Sequence, residues 1–558
     1  MLFTASAIAG GIGLFLLGMI LMTEGLKSAA GQTFERALRR FTHTPSAAIA
    51  SGAGITALVQ SSSATTVTTI GFVSAGLMTF PQALGVIFGA NLGSTSTGWI
   101  VGLLGLQLSI GVVAQPMVAV GALMRLLGRG RIADAGLALA GFGLIFVGID
   151  VLQAGTGELA TRITPEDFPD DTWIGRLVLV GIGTLMTVLM QSSSAAVATT
   201  LTALYSGAIG LEQAAALVIG QNLGTTVKAA IVSIGASIPA KRTALAHILF
   251  NTITALIAFA LLPLFVYLVD AAPGLTPGDA ALVIALFHTV FNLLGILLFL
   301  PFLHPFAHAI ERLIPERGPQ LTRYLDDSVT ETPSVAAEAA RRTVKTIATV
   351  MFEDTGAVLE NGAQNAKLEQ RLFAAKQALR DTRRFLSQTP GLSSSEEAYV
   401  QHVSTLHALE HLERLVAALE QAQPFRSVGS EEKLERLRSL AAVILRELHD
   451  ELAQTDDEDP AAREALLSRI AEKANDVAEE RRALRPDILD ALAAGRFPPD
   501  RGLQVLEAAR WLDRIAYHAW RIAHHLYRAD AESDPRTDEE AHQHRLDRTR
   551  EHHSPHHS

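Results

Sequence analysis

Between Phe41 and Met124 the chain carries no Asp, Glu, Lys or Arg, and a run of that length without charge cannot furnish the surface of a water-soluble domain. Leu177–Leu211 and Thr243–Val269 are equally bare. Such stretches belong in hydrocarbon. Beyond about Pro319 the composition turns to Glu, Arg, Asp, Ala and Leu, as expected of soluble amphipathic helices. The first 319 residues hold fourteen acidic and fourteen basic side chains, so the net charge of -10 sits on the C-terminal part. An acidic chain with no basic patch is a poor partner for nucleic acid. Without cysteine there are no disulfides, thiolate metal sites or cysteine nucleophiles. Ile8–Leu26 has no basic residue before it and no small-residue cleavage signal after it, so it reads as a retained first span.

Hydropathy and breaker residues predict crossings near 6–26, 83–105, 107–127, 133–153, 213–235, 243–263 and 280–303. Basic residues cluster at Lys27, Arg36, Arg39 and Arg40, at Arg125, Arg129 and Arg131, at Lys241 and Arg242, and at Arg312 and Arg317. The positive-inside rule places these in the cytoplasm. The acidic loop of Glu158, Glu166, Asp167, Asp170 and Asp171, with Arg162, then faces outward, as does the Asp270–Asp279 connection. The N-terminus is thus expected outside the cytoplasmic membrane and the C-terminal domain inside. Two apolar segments, Ser46–Gly76 and Arg176–Gly207, are each interrupted at the centre by Gln-Ser-Ser-Ser-Ala. A polar tetrad in mid-bilayer suits a re-entrant hairpin better than a plain span. Loop parity has the first hairpin enter from the cytoplasm and the second from outside.

The two halves repeat. Gln60-Ser61-Ser62-Ser63-Ala64 recurs as Gln191-Ser192-Ser193-Ser194-Ala195, and the same offset carries Gly89-Ala90-Asn91-Leu92-Gly93-Ser94-Thr95 onto Gly220-Gln221-Asn222-Leu223-Gly224-Thr225-Thr226. Thr68, Thr69, Gly76, Gln82 and Ala83 match Thr199, Thr200, Gly207, Gln213 and Ala214. Chance likeness between apolar segments would preserve Leu and Ala, not these polar positions. An odd number of spans between the hairpins makes the repeats inverted, the arrangement alternating-access transporters use. The fold class expected is all-α: a polytopic membrane transporter with two inverted repeats and re-entrant hairpins, followed by a soluble helical bundle.

Serine hydroxyls and backbone amides at helix N-termini suit an oxyanion, while Gln and Asn carbonyls and Thr hydroxyls suit a hard cation such as sodium. No Arg lies in the repeated elements. Compensation for a divalent anion must then come from helix dipoles, worth about half a charge each, and from bound cations. The plainer alternative, in which Ser, Thr and Gly merely let helices pack, does not explain two polar elements in register. Lys228, whose repeat counterpart is Thr97, lies deep in the bundle and can approach the anion, stand in for a cation or snorkel. His247 with Asn251 and His288 with Asn292, each one helical turn apart, suit interhelical hydrogen bonds.

At these residues the chain resembles the type II sodium/phosphate cotransporter family, over about residues 5–305, with Ser94 where the pattern often has Thr. The resemblance implies inorganic phosphate as cargo and sodium as coupling ion, with no other cofactor. It assigns the ion sites to Gln60, Ser61, Ser62, Ser63, Gln191, Ser192, Ser193 and Ser194. Asn91, Thr95, Asn222, Thr225 and Thr226 join as cation or substrate-shell residues, sodium being held through Gln60, Gln191, Asn91 and Asn222. The domains expected are a transporter unit over 1–310 (repeats about 6–128 and 133–303), a linker at 311–333, a helical domain at 334–528 and a disordered tail at 529–558. The helical domain resembles the PhoU-type domain of bacterial family members, with helices at Ser334–Phe352, Lys367–Leu386, Glu396–Glu420 and Leu503–Leu526. Its counterpart of the PhoU metal motif, Leu512-Asp513-Arg514-Ile515-Ala516-Tyr517, has Tyr517 for the final carboxylate, which argues against metal. Partners implied are the lipid bilayer and either a second copy of the chain or a cytoplasmic phosphate-signalling protein. A membrane hydrolase using Ser61–Ser63 or Ser192–Ser194 with His247 or His288 would leave the duplication unexplained, so no enzyme activity is expected. A phosphate exporter, or a phosphate sensor acting through the C-terminal domain, is the alternative to uptake.

Overall fold

The computed structural model describes residues 2–30, 41–107, 111–162, 164–169, 172–234, 237–271, 277–315, 320–327, 330, 332–361, 366–389, 396–454 and 460–527, and all regular structure among them is helical. Arg36, Arg39, Arg40, Asp170, Asp171, Arg317 and the His-rich segment after Arg528 lie outside the described residues. Two compact units separate: Met1–Val73 with Leu77–Glu316, and Ser74–Gly76 with Arg317–Ser558.

The helices of the first unit are α1 (Leu2–Ala30), α2 (Pro45–Val59), α3 (Ser62–Ser74), α4 (Phe80–Ser94), α5 (Gly111–Leu127) and α6 (Arg131–Ala160). They continue with α7 (Trp173–Met190), α8 (Ser193–Tyr205), α9 (Leu211–Ser233), α10 (Ile238–Asp270), α11 (Pro277–Phe299) and α12 (Leu303–Leu313). By length and composition, Thr4–Ala30, Arg131–Ala160, Trp173–Met190, Ile238–Asp270 and Asp279–Leu313 can each cross a membrane. Leu126 and Ile174 are 78% and 77% exposed, an outward apolar face of the kind that lipid covers. The chain is therefore a multi-pass membrane protein.

Three elements differ from the sequence expectation. The crossings expected at 83–105 and 107–127 form a pair, Phe80–Gln107 and Val112–Leu127, bent by 119°. Within the first of them α4 gives way to a turn at Ser96–Trp99 and a π-helical stretch at Ile100–Gln107. And α7, expected as half of a re-entrant hairpin, is itself long enough to span, because eighteen mostly apolar residues precede the break at Gln191.

Caps set the helix starts. Thr44, Thr172 and Ser237 accept from the amides of Ala47, Gly175 and Ala240. Gln82 Oε1 accepts from the Thr79 amide and Gln213 Oε1 from the Gly210 amide, both at 2.8 Å, so one cap occurs twice at the repeat offset.

Packing repeats in the same way. A Cβ on Gly52 would lie 2.1 Å from the Val86 carbonyl oxygen and one on Gly183 2.1 Å from that of Leu217. Gly89 meets Ile49, and Gly220 meets Val180, at 2.0 Å. Gly93 approaches Ala53 and Thr56; Gly224 approaches Thr184 and Thr187. Contacts that advance together along both chains mean that α2 runs parallel to α4, and α7 to α9. The intervening α3 and α8 must bring the chain back. A 2.9 Å bond between the Thr56 and Thr65 hydroxyls, on either side of the Gln60-Ser61 break, closes the first of these hairpins.

Antiparallel contacts then fix α4 against α9. Thr95 and Gly98 oppose Thr289 and Ala285 on α11. Gly295 and Phe287 of α11 oppose Thr254 and Phe265 of α10. Asn222 of α9 bonds Asn251 of α10 across their short connection. Three reversals leave α4 and α9 pointing in opposite directions. Small residues also join α1 to α6, where Gly11, Gly18 and Gly25 meet the backbone near Gly148, Gly141 and Asp134.

The second unit contains α13 (Pro333–Asn361), α14 (Ala366–Ser387), α15 (Glu396–Glu420), α16 (Gln423–Val428), α17 (Glu435–Ala453), α18 (Pro460–Ala493) and α19 (Pro499–Tyr527). Trp511, 1% exposed, stacks on Phe425 at 4.8 Å and donates to the Ala418 carbonyl at 2.7 Å. The Asp513 carboxylate pairs with Arg481 at 2.8 Å, and no group of three or more His, Asp or Glu among the described residues is arranged to hold a metal ion.

Candidate functional site

Gln60 and Gln191 end α2 and α7 in the left-handed region, with φ of +56° and +54°. Among the described residues they are the two non-glycine residues with positive φ. That conformation costs an L-residue about 1–2 kcal/mol. Both side chains offset it alike: Nε2 of Gln60 donates to the Ala57 carbonyl and Nε2 of Gln191 to that of Val188, each an acceptor orphaned at its helix end.

The next residue caps the returning helix. Ser61 Oγ accepts from the Ala64 amide and Ser192 Oγ from the Ala195 amide, both at 3.2 Å. First-turn amides at Ser62 and Ser63, and at Ser193 and Ser194, have no acceptor within their helices. Each tip is therefore a helix N-terminus with about half a positive charge.

Both tips open on one cavity of about 720 Å³. Gln60, Ser61, Ser62, Ser63, Gln191, Ser192, Ser193, Ser194, Thr225 and Lys228 all line it. Asn91, Thr95, Asn222 and Thr226 do not; they are buried behind it, at 4%, 3%, 4% and 6% exposed. The wall adds Glu24, a residue without an assigned role inside the expected first span, and Lys27, which was expected in a cytoplasmic basic cluster. An acid inside the first apolar run was the signal that could have found them.

The two tips are tied together. Thr97 Oγ1 lies 2.8 Å from Gln60 Oε1 and 3.1 Å from Ser194 Oγ, and Gln60 Nε2 donates to Ser96 Oγ at 2.8 Å. Sequence reasoning gave neither Ser96 nor Thr97 a role. A second network lies behind the tips: His247 Nε2 is 3.2 Å from Asn91 Oδ1, Asn251 Nδ2 donates to the His247 carbonyl, and Asn222 Nδ2 donates to Asn251 Oδ1 at 2.9 Å. His247 and Asn251 thus bridge both Asn-Leu-Gly breaks. On α11 the one bond recorded within the pair is from Asn292 Nδ2 to the His288 carbonyl, and the His288 ring nitrogens are buried without a hydrogen-bond partner among the described residues.

Two helical hairpins whose serine-capped tips open on one cavity inside an apolar bundle fit a membrane carrier for a small ion. The comparisons with known proteins name the kind. The Na+/Pi-cotransporter family model matches residues 14–154 and 172–273. The uncharacterized protein YqeW of Bacillus subtilis (strain 168) is 33% identical over 307 residues, covering 54% of this chain and 96% of that protein. YjbB of Escherichia coli (strain K12), provisionally named an inorganic phosphate export protein, is 32% identical over 343 residues, 60% of this chain and 61% of YjbB. The chain therefore spans about three fifths of the YjbB relatives it matches. No solved structure matches. This chain belongs to the Na+/Pi-cotransporter family, a family of transporters and not of enzymes.

Proposed function

We infer that this protein carries inorganic phosphate across the cytoplasmic membrane by alternating access, coupled to sodium, with both ions bound between the two serine tips. The observation that carries this reading is the convergence of two helix N-termini on one cavity whose charged lining residues are Glu24, Lys27 and Lys228, without arginine. With Glu24 offsetting Lys27, two half-charges and the Lys228 ammonium come to about two positive charges, close to divalent phosphate, so any state that withdraws Lys228 requires a cation. Ser62, Ser63, Ser193 and Ser194 supply hydroxyls and amides to the anion. Gln60 and Gln191 supply carbonyls to sodium, with Thr225 beside them. Asn91 and Asn222 act from behind the tips, through His247 and Asn251, with Thr95 and Thr226 in the same layer. The opposite directions of α4 and α9, with the duplicated glycine contacts, support an inverted pair of repeats.

Radiolabelled phosphate flux into proteoliposomes, with and without an inward sodium gradient, tests the proposal. Flux that ignores sodium and other cation gradients would sink the coupling; absence of flux in either direction would sink transport. Export is the second reading, favoured by the name of YjbB, and the same vesicles loaded with phosphate distinguish it. We assign the second unit a PhoU-like regulatory role on the cytoplasmic side, with the N-terminus outside.

A further inference from the structure

The two tips are equivalent in sequence and unequal in structure. Gln60 is 7% exposed and held by Ser96 and Thr97, whereas Gln191 is exposed to the cavity and its recorded side-chain bond is to its own helix. The repeat offset carries Gln60 onto Gln191, Ser194 onto Ser63 and Thr97 onto Lys228. We propose that Thr97 and Lys228 are alternating latches: Thr97 joins Gln60 to Ser194 in the state described above, and Lys228 joins Gln191 to Ser63 in the opposite one.

The chemistry permits the exchange. In the Thr97 latch a hydroxyl lies between a Gln carbonyl oxygen and a Ser hydroxyl oxygen, 2.8 Å and 3.1 Å away. The one Thr97 proton goes to the Gln60 carbonyl while its oxygen can accept from Ser194; an ammonium, with three donors, can donate to both a Gln carbonyl and a Ser hydroxyl oxygen. Lys228, Gln191 and Ser63 already line a single cavity, so no wall separates them. Among the described residues Lys228 takes part in no recorded ion pair or side-chain hydrogen bond that would hold it elsewhere. The exchange is not neutral for the anion. While Gln191 is open, the Lys228 donors face the cavity; once Gln191 closes, two of the three are committed to the latch and no longer serve the anion, which is held less tightly. Lys228 is thus a positioning residue that also makes anion affinity differ between the two states.

This inference rests on the alternating-access reading. The chain contains no cysteine, so paired cysteines report cleanly. Thr97→Cys with Ser194→Cys is expected to form a disulfide in the purified, ligand-free protein. Ser63→Cys with Lys228→Cys is expected to form one in proteoliposomes when phosphate and a sodium gradient drive the cycle, its yield rising several-fold as the first pair's yield falls. In the Thr97→Cys/Ser194→Cys background, Lys228→Met should raise the cross-link several-fold by removing the competing latch, and Lys228→Thr, which restores a hydroxyl, should not. Size-exclusion profiles confirm that each variant is folded. Both bridges forming within one four-cysteine molecule, or Lys228→Met and Lys228→Thr giving the same yield, overturns the latch. Phosphate flux by the wild-type protein with static cross-links in the variants would leave transport standing and sink the latch; cross-links that exchange while the wild-type protein carries no phosphate would do the reverse.

Discussion

Gln60 combines a strained backbone with bonds to Ala57, Ser96 and Thr97, and these opposing terms are separable. Gln60→Gly relieves a left-handed cost of about 1 kcal/mol while losing the side-chain bonds; Gln60→Ala loses the bonds and keeps the strain. Thermal unfolding followed by tryptophan emission should rank wild type above Gln60→Gly and Gln60→Gly above Gln60→Ala, with about 1 kcal/mol between the variants. Gln191→Gly, which gives up one bond of an exposed side chain, should unfold close to wild type. Equal stability of Gln60→Gly and Gln60→Ala would show that the left-handed turn costs nothing there. The tip residues were legible because the sequence writes them twice. Ser96, Thr97, Glu24 and Lys27 were not: the first two reach the tips from the turn after α4 and the other two line the cavity from α1, and a linear pattern carries no record of which distant helix supplies a partner.

The helix pairs α2/α4 and α7/α9 approach so closely that glycine is required at the crossing. Adding a Cβ at Gly52 or Gly183 puts it 2.1 Å from a backbone carbonyl, and backbone cannot rotate away as a side chain can. Gly52→Ala and Gly183→Ala should each destabilise the first unit by about 1–3 kcal/mol, whereas Gly54→Ala and Gly181→Ala, with nothing near, should not. Unfolding midpoints in detergent check the contrast. The helices themselves were readable from hydropathy, but the irregular end of α4 was not. There Ser94, Thr95 and Ser96 all bond back to carbonyls three residues earlier, at 2.7 Å. In α9 only Thr225 and Thr226 can do so, because Val227 replaces the third hydroxyl, and that helix stays regular. In the second unit α15 and α19 meet along histidines: His411 Nδ1 is 3.0 Å from His518 Nδ1, and the His525 ring lies 5.7 Å from that of His411. Burial, aided by neighbouring positive charge, pushes His411 down to about 3, His518 to about 4 and His525 to about 2. Unfolded histidines titrate near 6.5, so the unfolded chain takes up protons first. Stability is whole above pH 6.5 and falls toward pH 4, by about 1.4 kcal/mol per pH unit for each neutral ring. Acid titration of the Trp511 emission should show this loss, and His525→Phe should make it shallower; an unchanged slope would mean that the ring is charged in the folded state.

At the scale of the whole molecule the two units differ in what solvates them. The first, through Glu316, has fourteen acidic and thirteen basic side chains and turns apolar residues outward, while the second carries a net charge of -9. That contrast was legible from composition alone; the assignment of Ser74–Gly76 to the second unit was not, because it depends on tertiary contacts. Each unit has its own core, built around Phe15, Phe146 and Ile149 in one and around Trp511, Leu512 and Ile515 in the other. All residues that line the cavity belong to the first. A chain ending after Pro319 therefore keeps its tips, both glycine seams and the His247–Asn251 bridge. It should remain monodisperse in detergent and move phosphate in proteoliposomes at a rate of the same order as the full chain, with any difference confined to how flux responds to internal phosphate. If the truncated protein is folded by its unfolding midpoint and still carries no phosphate, the second unit takes part in the transport cycle itself, and its role as a regulator falls.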